Sequence, residues 1–489
     1  MNRVTKLIVV LALGISSADA ADPTCSSVDQ LFCNPTDCWL DGCGDWLSSD
    51  AKLLAPLQNQ PLGNGWTSSV GGELRYRYID ERNRLRPPTP AGRSTYDQYR
   101  FNPYVDLNYT DLIQFHVEAI GAQTNGNELP QLSIDENRAD LLQYYVDINL
   151  ADFDNDGTLR FRYGRQFLNY GSQHLISPLG WSNTFRNFEG YRLYYSDAAW
   201  NVDAFAVQPV NGAAGNIYRP TSFDTPDQSR WFSGVYATYK EVPHGTLDLY
   251  WLWLNEQDDD PGLIDGNRHT IGVRYAGKRP LTGGAKPAHT LTWDLEGAYQ
   301  FGTEDYASGI NEQIQAGFVS TNTGIVFNAL PWTPTVQGIF FWGSGDSNPG
   351  DGTNSTVSTL FPLGHAYWGQ IDNFNGSNLF DYGVHVTVKP HEKLTFLTGW
   401  HWFDKAQNAD AIYNVAGASF GGPGAVPTTS SHLGNELDLV ATYQINKNLQ
   451  LQAGYFWFWY GEAVTANNVA AVRNRSHAEM FYTYLDWTF

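Results

Sequence analysis

Arginine recurs on one parity of several short stretches. Arg75 shares a face with Arg77, Arg160 with Arg162, Arg186 with Arg192, and Arg268 with Arg274; Arg100 and Arg230 lie in similar company. Acids take the same parity in neighbouring stretches: Glu118, Asp147, Asp203, Asp294, Glu296 and Asp438. A guanidinium holds a carboxylate or phosphate through two parallel hydrogen bonds and stays charged at any working pH. Arginines repeated along one wall therefore suit a poly-anionic solute that steps from site to site. The competing reading is that arginines and acids pair across strands and stiffen the wall.

The elements that carry these residues read as strands. Leu449, Leu451, Ala453, Tyr455, Trp457 and Trp459 alternate with Gln450, Gln452, Gly454, Phe456 and Phe458. Leu437, Leu439 and Ala441 alternate with Glu436, Asp438 and Thr442, and Tyr144, Val146 and Ile148 with Gln143, Tyr145, Asp147 and Asn149. Period two with one greasy and one polar face sets a strand between an apolar and a wet medium. Strands of about 9–11 residues with this pattern, parted by turn residues, are the mark of a transmembrane barrel. A charge facing lipid at the midplane costs about 2–4 kcal/mol, so the arginines face the lumen.

Candidate strands fall near 70–80, 97–109, 112–122, 140–150, 158–166, 186–196, 199–208, 229–240, 246–256, 267–277, 290–302, 311–328, 335–345, 379–389, 393–404, 434–445, 449–460 and 476–489. Connections alternate between tight turns, such as Pro243-His244-Gly245 and Asn446-Lys447, and long Gly/Asn/Pro-rich stretches such as 346–378 and 405–433. The expected fold is all-β: a transmembrane antiparallel β-barrel of about 18 strands with short periplasmic turns and long extracellular loops, over 66–489. A barrel of that size is wide enough for an aqueous channel.

No domain boundary interrupts the alternation, although 489 residues would ordinarily suggest several domains. Mean hydropathy is −0.38, and past the leader no apolar run reaches the roughly 18 residues of a helical span. Aromatic residues make up 15% of the chain, which suits two interfacial girdles better than a soluble sandwich. Residues 1–20 read as a signal peptide, with Arg3 and Lys6, an apolar centre at 7–13 and Ala18-Asp19-Ala20 before the cut. Export plus a barrel pattern places the chain in an outer membrane. Residues 21–65 form a Cys-rich periplasmic segment. Its Cys25, Cys33, Cys38 and Cys43 can form two disulfides in three pairings; the spacings lack the CxxC pairs of a metal site, so disulfides are favoured. The net charge of −21 rests largely on acids in the connections, such as Asp258-Asp259-Asp260, and reads as solvated loops.

Two further motifs carry little. Asp152-Phe153-Asp154-Asn155-Asp156-Gly157 begins like a calcium loop, but the position of the bidentate acid is Tyr163. It reads as a tight turn. Ser476-His477 is a neighbour pair, and triads assemble in space rather than in sequence.

Several stretches together resemble the alginate export family of outer-membrane barrels. They are Leu159-Arg160-Phe161-Arg162-Tyr163-Gly164-Arg165-Gln166, Gly171-Ser172-Gln173, Trp181-Ser182-Asn183-Thr184 with Arg186, Phe188 and Gly190, and Glu136 and Arg138 before Tyr145-Val146-Asp147. Leu330-Pro331-Trp332 and Leu433-Gly434-Asn435-Glu436-Leu437-Asp438-Leu439-Val440 follow in the same order. The resemblance implies an eighteen-stranded monomeric channel whose arginine-rich constriction passes an acidic polysaccharide, with Arg100, Arg138, Arg165, Arg192 and Arg475 on the anion track. The family's long periplasmic loop before the penultimate strand has no counterpart: only Ile445-Asn446-Lys447-Asn448 stands there. Nor is the Cys-rich segment part of the pattern. Arg165 falls on the outward parity, which requires either a bulge at Gly164 or a position above the membrane.

Three functions follow in order: passive export of an anionic, alginate-like polysaccharide; a general or uptake porin for small anions; and a barrel-embedded hydrolase. The expected partners are the anionic polymer, outer-membrane lipid and periplasmic export proteins, with no nucleic acid, no cofactor and no metal. The chain is expected not to be an enzyme.

Overall fold

The computed structural model describes residues 57–85, 92–154, 156–211, 223–260, 263–284, 287–306, 308–420, 430–465 and 475–489. The expected signal peptide and all four cysteines lie outside them. The barrel strands are β1 (Trp66–Arg82), β2 (Arg93–Tyr109), β3 (Ile113–Asn125), β4 (Asn137–Asp152), β5 (Thr158–Gln166), β6 (Phe188–Ser196), β7 (Trp200–Asn211), β8 (Arg230–Tyr239) and β9 (Gly245–Asp260). They continue with β10 (Leu263–Pro280), β11 (His289–Tyr306), β12 (Asn311–Phe327), β13 (Thr335–Gly343), β14 (Leu379–His391), β15 (Leu394–Lys405), β16 (His432–Asn446), β17 (Leu449–Tyr460) and β18 (His477–Thr488).

Each strand pairs antiparallel with the next, giving a closed sheet of 18 strands. β18 closes the ring on β1 through Leu74↔Trp487, Arg75↔Asp486 and Arg77↔Tyr484. Gly72 and Phe489 then exchange backbone hydrogen bonds of 3.1 and 2.9 Å. Closure leaves no free edge, which a sheet in hydrocarbon requires. All eighteen expected strands are present. Several run longer than the alternation implied, β10 from 263 to 280 rather than 267 to 277. Backbone pairing continues past the greasy belt, where side-chain alternation fades.

The outward parity is apolar and exposed, as at Phe101, Val105 and Leu107 on β2, Ile271 and Val273 on β10, and Leu439 and Trp459 on β16 and β17. The inward parity is polar over the short-turn half. Toward the long-loop end it turns apolar: Phe205, Phe232, Phe318, Phe341, Phe403, Phe456 and Phe458 are buried inside the barrel. They pack on Leu168, Ile176, Trp368, Ile371 and Phe374, which belong to connections. The wide, water-filled lumen that strand number implied is therefore partly occupied. Connections 167–187 and 344–378, the second expected as an outer loop, fold inward and build a core there.

Candidate functional site: a braced lumen with an arginine–tyrosine wall

The two infolded connections are joined to each other. Ser177 N–H donates to Phe361 O at 2.9 Å, Phe361 N–H to Leu175 O at 2.9 Å, and Leu363 N–H to Gln173 O at 3.0 Å. Trp181 stacks on His365 with centroids 3.6 Å apart and planes 6° from parallel, and its indole N–H donates to Asp372 at 3.2 Å.

The strands hold this insert with cations. Arg100 donates from Nη1 to Gly180 O at 3.1 Å and Ser182 O at 2.9 Å, and from Nε to Glu73 at 2.8 Å. Arg75 donates to Gly180 O at 3.1 Å and to Ser182 O. Arg77 donates to Trp181 O at 2.7 Å and lies 4.5 Å over its ring. Carbonyls of a segment without ladder partners must find donors when buried, and these three guanidiniums supply them.

A second set of arginines faces what remains of the lumen in the short-turn half. Arg162 on β5 and Arg192 on β6 are directly paired across the ladder. Arg162 Nε donates to Asp147 at 2.7 Å, with its guanidinium 3.9 Å over the Tyr145 ring. Arg192 Nε donates to Asp203 at 2.5 Å, with its guanidinium 4.8 Å over Tyr194. Tyr194 OH donates to Asp147 at 2.6 Å, and Arg160 Nε donates to the same carboxylate at 2.7 Å. The terminal nitrogens of Arg162 and Arg192 donate to no described residue. Their side chains keep 10% and 14% exposure. Beside the pair, Gly164 opposes Gly190 with φ of +134° and +153°. A Cβ there would meet Tyr144 O at 2.2 Å and Ala206 O at 2.4 Å, so no side chain grows over the arginines from these positions.

Aromatic rings extend the wall on both sides. His116 stacks on Tyr145 at 4.8 Å and Tyr104 on His116 at 5.8 Å. On the other side Tyr170 lies under Arg192, stacks on Tyr236 at 4.8 Å, and Tyr236 stacks on Tyr250 at 5.3 Å. Flat apolar faces alternating with carboxylate-binding forks can hold a sugar ring and its acid group together.

The remaining expected site residues are placed as follows. Arg274 pairs with Asp248 and Asp294 at 2.9 and 2.7 Å, Arg268 with Glu304 at 2.5 Å, and Arg230, on the long-loop rim, with Glu256 at 2.9 Å. Glu118 accepts from Gln143 at 2.7 Å and Asn102 at 3.3 Å. Arg100, Arg75 and Arg77 face inward but are covered by residues 180–182; Arg100 has no exposed surface. They hold residues 180–182 against the wall.

Arg186 is not on β6, which starts at Phe188. It donates to Ser177 O and Pro362 O and so ties the two infolded connections together. Arg165 is on the outward parity: Tyr144↔Arg165 follows Tyr145↔Gly164 without a register shift, so no bulge turns it inward. Asp140, Glu189 and two backbone carbonyls bind it there. Arg138 is exposed beside Glu136, and Arg475 is exposed just before β18. Of the track implied by resemblance, Arg192 presents free donors to the lumen. The residues not expected were Tyr104, His116, Tyr145, Tyr194 and Tyr170; aromatic side chains on the polar parity were the signal for the four on strands.

Solved structures with the same fold include the outer-membrane protein OprD from Pseudomonas aeruginosa, at 12% identity and TM-score 0.54, covering 88% of this chain and 96% of that one. OccAB1 from Acinetobacter baumannii matches at 13% identity and TM-score 0.55, covering 88% and 99%. A BenF-like porin from Pseudomonas fluorescens Pf-5 matches at 12% identity and TM-score 0.55, covering 86% and 98%. No curated protein sequence matches the chain. The family model for alginate export matches residues 67–478. Matched over most of its length and folded as an outer-membrane porin-like barrel, the chain belongs to the alginate export family.

Proposed function

We propose that this outer-membrane channel passes an acidic, alginate-like polysaccharide outward and passively, with Arg162, Arg192, Tyr145 and Tyr194 forming a contact on its path. The observation that carries this reading is the register of Arg162 with Arg192. Like charges directly opposite each other on neighbouring strands repel. Asp147 and Asp203 hold them there by Nε alone and leave the forks open. A uronate offers a carboxylate to a fork and a pyranose face to a ring, whereas a small inorganic anion uses the forks only. Direction rests on the family, since a pore is reversible.

Uptake of small anions is the second reading. It is favoured by the pairing of Arg230, Arg268 and Arg274 with acids, which leaves that part of the wall close to neutral. Single-channel recording with oligouronate and with a neutral oligosaccharide of equal length separates the two. Block by oligouronate only is the expected result; equal block, or none, overturns the polysaccharide reading.

A further inference from the structure

We infer that the lumen wall between β14, β15 and β16 holds a divalent transition-metal ion. The ligands are His385 Nε2, His401 Nε2 and an Asp438 carboxylate oxygen, which lie within 4.8 Å of one another. The two Nε2 atoms are 2.8 Å apart, and His401 Nε2 is 3.8 Å from Asp438 Oδ2. Four-coordinate zinc with bonds of about 2.0–2.2 Å sets ligand atoms roughly 3.3 Å apart, so the two imidazole nitrogens must part, and His401 and Asp438 draw together, by about half an ångström, while the gap between His385 and Asp438 closes by up to about 1.5 Å.

Four independent features point the same way. First, the Gln370 N–H and the Glu436 carboxyl approach Asp438, but neither of its oxygens accepts a well-formed hydrogen bond, and its side chain is fully buried. Second, Glu436 lies beside it, also fully buried, with Oε2 unpartnered; Oε1 accepts from Ile371 N–H at 2.7 Å. No arginine or lysine among the described residues pairs with either acid, and two adjacent buried carboxylates need a cation or a shared proton between them. Third, Asp381 takes the Nδ1 side of His401 at 2.8 Å, which turns the Nε2 lone pair toward the cluster. A carboxylate behind a metal-binding histidine is the usual support of such a ligand. Fourth, glycines clear the space. Gly399 lies in register with both His385 and Asp438, and a Cβ there would meet the His385 ring at 2.9 Å and Asp438 Cβ at 3.3 Å.

Two imidazoles and a carboxylate select a zinc- or cobalt-like ion over calcium or magnesium. Glu436 or a water completes the shell. The ion would pin three strands where Gly369 and Ile371 of the infolded connection meet the wall. The ligands come from three separate strands, so no sequence spacing announces them.

The test uses the full chain, purified without a polyhistidine tag, stripped with chelator and titrated with Co2+ and with Zn2+. One Co2+ per chain, with the visible absorption of a tetrahedral or five-coordinate site, is expected in the wild type. His385→Ala and His401→Ala should abolish it, and His385→Gln serves where an alanine variant fails to assemble. Asp381→Asn should weaken binding about ten- to a hundred-fold while leaving the ligands in place. No Co2+ absorption in the wild type overturns the assignment. So does a signal that persists in a His385→Ala, His401→Ala double variant, which would place the ion elsewhere, for example on the cysteines.

Discussion

Arg162 and Arg192 face each other across a single register step of the barrel wall, each anchored by Nε to a different carboxylate. A pair built only to stiffen the wall would spend both forks on acids, as Arg274 does with Asp248 and Asp294. The open forks therefore predict anion preference in spite of the chain charge of −21. Reversal potentials in a salt gradient check this. A cation preference that survives neutralising the loop acids would contradict it.

Arg100 behaves differently. Arg100→Ala leaves Glu73 buried and unpaired and removes two bonds to the infolded connection, at a cost of about 3–5 kcal/mol. The thermal transition of the folded barrel should fall, and Arg100→Ala with Glu73→Gln should recover part of it. Oligouronate block per folded channel should not change. Normal stability with lost block would move Arg100 from the brace to the path.

Trp181 joins the two connections of the insert to each other and to the wall, through the His365 ring, the Asp372 carboxylate and the Arg77 cation of β1. Trp181→Ala should loosen the contact between the connections and raise single-channel conductance, with larger current noise. Unchanged conductance would mean that the insert does not narrow the path.

Closure depends on the last residues. Trp487 pairs with Leu74, and Phe489 exchanges two hydrogen bonds with Gly72. Deleting 487–489 should leave the chain unassembled in the periplasm, seen as loss of the heat-modifiable band. A normal folded band would show that β18 closes without them.

Strand number, order and the facing of most residues were legible in the sequence, because period two reports which medium each face meets. It does not report where a ladder stops: Arg186 keeps the parity of Arg192 yet lies off the strand. It does not report where a long connection goes either. The Gly/Asn-rich 346–378 reads as an outer loop, and its inward course depends on Trp368, Ile371 and Phe374 meeting phenylalanines from separate strands. The signal available was Phe456 and Phe458 on the polar parity. Tyr145, beside Asp147, carried the same signal for the wall.

The most direct test of the proposed path is oligouronate block of single-channel current in Arg162 and Arg192 variants. A charge-assisted contact is worth about 1.5–3 kcal/mol, so alanine at either position should weaken block roughly ten-fold or more. Lysine keeps the charge but loses the fork and should fall between alanine and wild type. Block unchanged in a folded Arg162→Ala, Arg192→Ala double variant would contradict the account and leave these arginines as braces of the wall.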